Sequence, residues 1–106
     1  MLKRKELKKL LKGLPKFKEM VYLKILEIPY GETRSYKRVA EEIGVSNRVR
    51  AVARAISENP YPFLIPCHRV IRSDGTPGGY MFGLEIKKKL LDLEKRVKSV
   101  IIEKSR

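Results

Sequence analysis

Four of the six prolines and four of the seven glycines fall between positions 60 and 83, a stretch that can hold neither a long regular helix nor a central strand. Pro60, Pro62, Pro66 and Pro77, with Gly75, Gly78, Gly79 and Gly83, leave only two short apolar pieces there, Phe63 to Ile65 and Val70 to Ile71. A shaped loop region is expected, with a small hairpin turning at Ser73-Asp74-Gly75. Everything outside it reads as helix. Residues 2–14 form a short Leu/Lys helix with Leu7, Leu10, Leu11 and Leu14 on one side, and a second helix runs over 16–28 to Pro29. Ser35 is placed to cap a third helix with the stripe Tyr36, Val39, Ala40, Ile43, which Gly44 ends. Ser46 is placed to cap a fourth carrying Val49, Val52, Ala53 and Ile56, and a last helix begins near Leu84, packing Ile86, Leu90, Leu93 and Val97. The expected fold is mainly α with short β segments, one domain built on a winged-helix-like helix-turn-helix.

The third and fourth helices are short, amphipathic and joined by a Gly-containing turn, and the fourth carries Arg48, Arg50 and Arg54 off its apolar stripe. That arrangement suits nucleic acid, although many helix pairs bind none. Net charge points the same way: 25 Lys and Arg against 12 Asp and Glu give +13. The excess is concentrated at the ends, with eight basic groups and one acid in residues 1–18 and eight against four in 84–106. Such a chain attracts polyanions, because each cation set on a phosphate releases a counterion. Solvated helix faces explain the terminal lysines equally well. No run of about 18 apolar residues and no cleavable leader pattern occurs, so neither a membrane span nor secretion is expected.

One cysteine, Cys67, and one histidine, His68, exclude an intrachain disulfide and the usual Cys/His zinc sites, and point to a reducing, intracellular compartment. Absence of Gln, scarcity of Asn and abundance of Lys and Glu are a bias seen in proteins of thermophiles. A lone cysteine is more often an inert buried hydrophobe than a nucleophile. In Ile65-Pro66-Cys67-His68-Arg69-Val70, however, an imidazole and a guanidinium stand beside the thiol, and such neighbours lower a thiol's pKa. In an extended strand His68 would point away from Cys67; it touches the sulfur only if the backbone turns there, and otherwise a water relays the proton.

Six stretches, Ile28-Pro29-Tyr30-Gly31-Glu32-Thr33, Ser35-Tyr36, Arg50-Ala51-Val52, Asn59-Pro60, Ile65-Pro66-Cys67-His68-Arg69-Val70-Ile71 and Gly78-Gly79-Tyr80, resemble in order and spacing the C-terminal domain of the O6-alkylguanine-DNA alkyltransferases. The resemblance covers roughly residues 17 to 95, so residues 1–16 read as a basic extension and 17–106 as the catalytic and DNA-binding domain. It implies direct repair: the damaged nucleotide is flipped out of double-stranded DNA, and the cysteine takes the alkyl group irreversibly. By this resemblance Cys67 is the acceptor, His68 the base acting through a water, and Glu94 the group that orients the imidazole. Asn59 holds the turn beside the active-site segment, and Tyr36 assists flipping and donates to the guanine ring, although its stripe position suits a core residue as well. Tyr80 walls the pocket, and the carbonyls of Cys67 and Val70 read the base amine. Arg50 is the finger that fills the space left by the flipped base. Arg48, Arg54 and Lys37 are assigned to phosphate contact.

No cofactor and no metal are expected, and the protein is expected to be a monomer in the cytoplasm, associated with the nucleoid. Two departures stand out. Family members usually carry a sizeable N-terminal domain, whereas about 16 residues precede the match here. After Tyr80 the chain reads Met81-Phe82-Gly83 where small residues are common, so only the backbone N–H of Met81 can serve the alkylated oxygen, and Phe82 is expected to narrow the pocket in favour of methyl adducts. The main alternative is a non-catalytic lesion sensor of the alkyltransferase-like kind, but those have tryptophan where this chain has Cys67. A sequence-specific regulator would leave the Cys-His segment unexplained, and a cysteine hydrolase lacks an identifiable oxyanion arrangement.

Overall fold

The computed structural model describes residues 3–62 and 64–104. Leu2, at the start of the first expected helix, and Phe63, in the expected apolar piece, lie outside them. Along the chain come α1 (Arg4–Leu11), α2 (Lys16–Ile25), β1 (Arg34–Ser35), α3 (Tyr36–Glu42), α4 (Val49–Ser57), a single 3₁₀ turn (Cys67–Arg69), β2 (Val70–Ile71) and α5 (Leu84–Lys104). The mainly helical expectation holds. No described helix is long and apolar enough to cross a membrane.

Helices α2, α3 and α4 pack on one another through Val21, Tyr22 and Ile25, then Val39 and Ala40, then Val52, Ala55 and Ile56. Each large apolar side chain buried this way contributes roughly 1.5–3 kcal/mol relative to an exposed one. The one polar atom that Tyr22 brings into this core is satisfied: its hydroxyl donates to the Ala55 carbonyl at 2.6 Å, tying α2 to α4. Leu11 of α1 joins the same core.

Ser35 caps α3 as expected, its Oγ accepting from the Arg38 N–H at 3.0 Å. Gly44, at φ 80°, then lets the chain leave α3, and the Val45 N–H returns to the Ala40 carbonyl at 2.8 Å. Ser46 does not cap α4. The chain makes one more turn, with the Arg48 N–H on the Val45 carbonyl, and α4 starts after Arg48, which makes no side-chain cap bond. The hairpin is also replaced. Although the loop at Asp74 closes through Arg72 N–H to Thr76 O at 2.9 Å, β2 pairs in parallel with β1, Arg34 opposite Val70 and Ser35 opposite Ile71. That pairing sets the segment after Cys67 beside the entrance to α3.

Helix α5 is rotated from its expected phase. Ile86 and Leu93, two of its four expected core residues, are 42% and 54% exposed, whereas Lys87 and Glu94 are 0% and 6% exposed. An apolar stripe was the wrong guide because the inward face of α5 makes polar bonds to residues 68–70 and to the Gly79 carbonyl instead of filling a hydrophobic gap. Leu90 and Val97 remain half-buried at the edge of that face.

Candidate active site and nucleic-acid interface

Pro66 decides how the Cys67 segment bends. With its ring fixing φ near −76° and ψ at 67°, the Cys67 N–H reaches back to the Ile65 carbonyl at 2.7 Å, an inverse γ-turn. The 3₁₀ turn follows at once, closed by the Arg69 N–H on the Pro66 carbonyl at 3.0 Å. The backbone therefore does turn at the Cys-His pair, and with three residues per turn neighbouring side chains diverge. Cys67 faces a cavity, and His68, buried, faces α5. Asn59, 4% exposed, secures this arrangement from the end of α4: its Nδ2 donates to Ile65 O at 3.0 Å and its Oδ1 accepts from Tyr61 N–H at 2.8 Å.

Glu94 receives every donor within its reach. Its Oε2 is 2.5 Å from His68 Nε2 and 3.2 Å from Arg69 Nη2, while Oε1 accepts from Arg69 Nε at 2.7 Å and from the Gly31 N–H at 3.4 Å. Burial pushes the Glu94 carboxyl up, but the bonds and charges of Arg69 and His68 outweigh it and hold the group below the usual carboxylate range. With Nε2 engaged on Glu94, His68 keeps Nδ1 buried and unbonded among the described residues. Arg69 is anchored too, by Nη1 on the Ile28 carbonyl at 3.0 Å and by the Tyr30 ring 5.2 Å away. Gly31 is required here: at φ 81° it lets the backbone approach Glu94, and a Cβ would lie 2.6 Å from Lys98 Cδ.

The cavity beside Cys67 measures about 450 Å³, and its walls come from α3 (Tyr36), α4 (Val49, Arg50, Ala53, Ile56) and the loop Gly78 to Met81. Ala53, expected on the core stripe, lines this cavity instead. Gly78 leaves room for the Tyr36 ring, since a Cβ there would lie 3.1 Å from its hydroxyl. Burial, with the Cys67 charge adding to it, raises the phenol of Tyr36 and takes that of Tyr80 to about 12, so both are neutral donors at physiological pH. The Cys67 thiol is pushed up by burial, against the opposing pull of the Asn59 side chain and the Lys87 charge. Phe82 is not among the lining residues. Its ring sits outside, edge to face with Tyr80 at 5.5 Å, so it buttresses the wall instead of narrowing the space.

Arg50 stands both on the cavity rim and on the exposed face of α4. Arg54, Lys37 and Arg48 are exposed as well, and the Arg48 guanidinium lies 4.6 Å over the Phe17 ring of α2. The structure thus brings Cys67, Tyr36, Tyr80, Met81 and Arg50 around one cavity, with His68, Glu94, Asn59 and Val70 supporting its floor. One group was missed from sequence, and another, Arg69, serves Glu94 instead of lowering the thiol as its place beside Cys67 suggested. Lys87 is fully buried and donates to the Val70 carbonyl at 2.7 Å and the Gly79 carbonyl at 3.1 Å, and Arg69 shares Glu94 with His68. Nothing in the pattern KKK at 87–89 singles out the first lysine.

Known proteins share this architecture. Residues 16–96 match the family model described as 6-O-methylguanine DNA methyltransferase, DNA binding domain. The probable methylated-DNA–protein-cysteine methyltransferase of Acanthamoeba polyphaga mimivirus is 51% identical over 86 residues, 81% of this chain and 56% of that protein. Its namesake in Methanosarcina barkeri is 53% identical over 78 residues, 74% of this chain and 49% of that protein. The chain therefore spans about half the length of the curated relatives it matches. Among solved structures, Mycobacterium tuberculosis OGT in complex with DNA superposes with a TM-score of 0.76 at 45% identity, covering 77% of this chain and 51% of that one. S. pombe Atl1, in complex with damaged DNA containing O6-carboxymethylguanine, superposes with a TM-score of 0.65 at 32% identity, covering 74% of each chain. With the family model matched across most of its length and relatives at half identity, this chain belongs to the 6-O-methylguanine DNA methyltransferase family.

Proposed function

We propose that the chain repairs O6-alkylguanine in double-stranded DNA by moving the alkyl group irreversibly onto Cys67. The observation that carries this reading is the Cys67 thiol on the wall of a base-sized cavity whose rim bears Arg50 of the exposed α4 face. Sulfur attacks the alkyl carbon, the new S–C bond forms as the C–O6 bond breaks, and the electron pair returns to the guanine ring. The thiol proton leaves through a water to His68, whose free Nδ1 is the accepting atom, and the departing guanine regains one proton. Thiol and O6-alkylguanine thus give thioether and guanine, with no cofactor in the balance. Glu94 orients the imidazole and stabilises it when charged. Since burial keeps the thiol protonated at rest, this proton path is needed before sulfur can react.

Tyr36 donates to the guanine ring, Tyr80 walls the base, the Val70 carbonyl accepts from its amine, and the Met81 N–H meets the O6 atom. Asn59 keeps the γ-turn in place. Arg50 enters the space vacated by the flipped nucleotide, and Arg54, Lys37 and Arg48 meet phosphates, Arg48 with its guanidinium face on the Phe17 ring. Residues 17–106 form the catalytic and DNA-binding unit with 1–16 as a basic extension, and the protein works as a cytoplasmic, nucleoid-associated monomer.

The test is intact-protein mass after incubation with a duplex carrying one O6-methylguanine, with Cys67→Ser as control. A one-methyl gain located on Cys67 and absent from the control is expected. No gain with lesion-selective binding retained would mean a sensor, and no gain without such binding would refute both.

A further inference from the structure

The only fully buried lysine among the described residues sits where none of the roles above needs one. Lys87 is 0% exposed, and its ammonium has three donors and three acceptors around it: Val70 O at 2.7 Å, Gly79 O at 3.1 Å and the Tyr36 hydroxyl at 3.4 Å. A buried cation is costly unless each donor is satisfied, and here each is. Two of those acceptors belong to residues that line the cavity, Gly79 of the loop Gly78 to Met81 and Tyr36 at the start of α3, and the third is the buried Val70 carbonyl of the strand that follows Cys67. Resting on the repair reading above, we propose that Lys87 is the positioning residue for lesion recognition, its ammonium tying these three elements at the spacing one guanine requires and fixing the direction of the Val70 carbonyl that reads the base amine.

The ammonium is needed, not merely the side chain. A neutral amine has two N–H groups for three oxygens and turns its lone pair toward one of them. Burial first, and Arg72 beyond β2 with it, bring Lys87 down to about 8 against the opposing pull of a Cys67 thiolate in the 3₁₀ turn; Tyr36 of α3 is the remaining titratable group against it. The clamp therefore loosens as pH rises through that value. Fold stability moves the other way. Because the folded pKa lies below that of an exposed lysine, the unfolded chain binds more protons between the two values, and this group makes the fold more stable as pH rises. Loss of recognition in mild alkali is then separable from unfolding.

The experiment uses the Cys67→Ser chain, which cannot transfer, and measures its affinity for a duplex with one O6-methylguanine and for the same duplex with guanine, from about pH 7 to about 9.5. The ratio of the two affinities is expected to fall about tenfold across this range, and Lys87→Met is expected to show the low ratio at every pH. Lys87→Arg, which keeps the charge but not the shape, should restore part of the ratio. A ratio that stays constant with pH while Lys87 is intact overturns the proposal, even if Lys87→Met fails to fold. A folded Lys87→Met with an undiminished ratio also overturns it. Transfer by the unmutated chain alongside either result leaves the repair reading standing, whereas no lesion preference and no transfer at any pH removes both.

Discussion

Glu94 has more asked of it than any other side chain here, because one carboxylate must hold His68 in its tautomer and neutralise Arg69 at the same time. Replacing it by glutamine keeps the shape, removes the charge, and turns an NH₂ toward groups that are themselves donors. Breaking one partner of a buried pair costs about 3–5 kcal/mol, and because Arg69 retains some solvent access the lower end, about 3 kcal/mol, is expected for Glu94→Gln in urea unfolding at neutral pH. Transfer should slow by about a hundredfold, as for other losses of acid–base support. The pH dependence has a definite sign. The folded carboxyl sits below its ordinary value, so its stabilisation is complete above the unfolded pKa and is lost as pH falls through the folded one. Urea midpoints measured at about pH 7 and about pH 3 should therefore differ less in Glu94→Gln than in the parent chain. Asn59→Ala belongs to the same scale. It removes the bonds to Ile65 O and from Tyr61 N–H, costs about 2 kcal/mol, and frees the γ-turn that presents Cys67, so single-turnover transfer should fall by more than the stability loss accounts for.

At the scale of elements, the proposed function makes α4 the part that links DNA to the cavity, since Arg50 borders the space that Cys67 faces. If that arginine replaces a flipped nucleotide, its truncation penalises duplex substrates and spares small ones. Arg50→Ala should slow transfer from a duplex by about tenfold or more, with a much smaller effect on transfer from free O6-methylguanine base, as single-turnover rates on both substrates will show. How far the elements were legible follows from what positions each of them. Ser35, Gly44 and the α3 stripe were readable because a cap, a left-handed glycine and apolar spacing act locally. Cys67 and His68 stood out by their own chemistry, Asn59 and Glu94 came from motif resemblance, and the geometry gathers them in one region. Helix α5 was misphased because its inward contacts are polar: Lys87 and Glu94 bond to carbonyls and side chains distant in sequence, and no periodicity encodes that. Arg69 was read as a partner of the thiol, and its actual role was hidden for a related reason. Its value lies in sharing one carboxylate with its neighbour in the chain, which only the 3₁₀ turn makes possible.

For the whole molecule, the network from His68 through Glu94 to Arg69 behind Cys67, and the Lys87 contacts beside it, close within this one chain, although it spans about half the length of its relatives. What acts over longer range is charge. The +13 excess makes any polyanion attractive, and it falls on exposed groups of α3 and α4 as well as on the ends of the chain. The proposed function superposes two kinds of binding: phosphate contact, which salt screens by restoring counterions, and base recognition inside the cavity, which salt touches little. Each phosphate neutralised contributes a slope of about −0.9 in a plot of log affinity against log salt. With Arg50, Arg54, Lys37 and Arg48 each on a phosphate or at the groove, affinity for undamaged duplex should fall about a hundredfold between about 50 and about 200 mM salt. Changing Arg54 and Lys37 together to alanine should flatten that slope by about two while leaving the preference for lesion over guanine in place. Fluorescence anisotropy across a salt series separates the two contributions. An unchanged slope in the double variant would move the phosphate contacts off α3 and α4 and onto the basic ends of the chain.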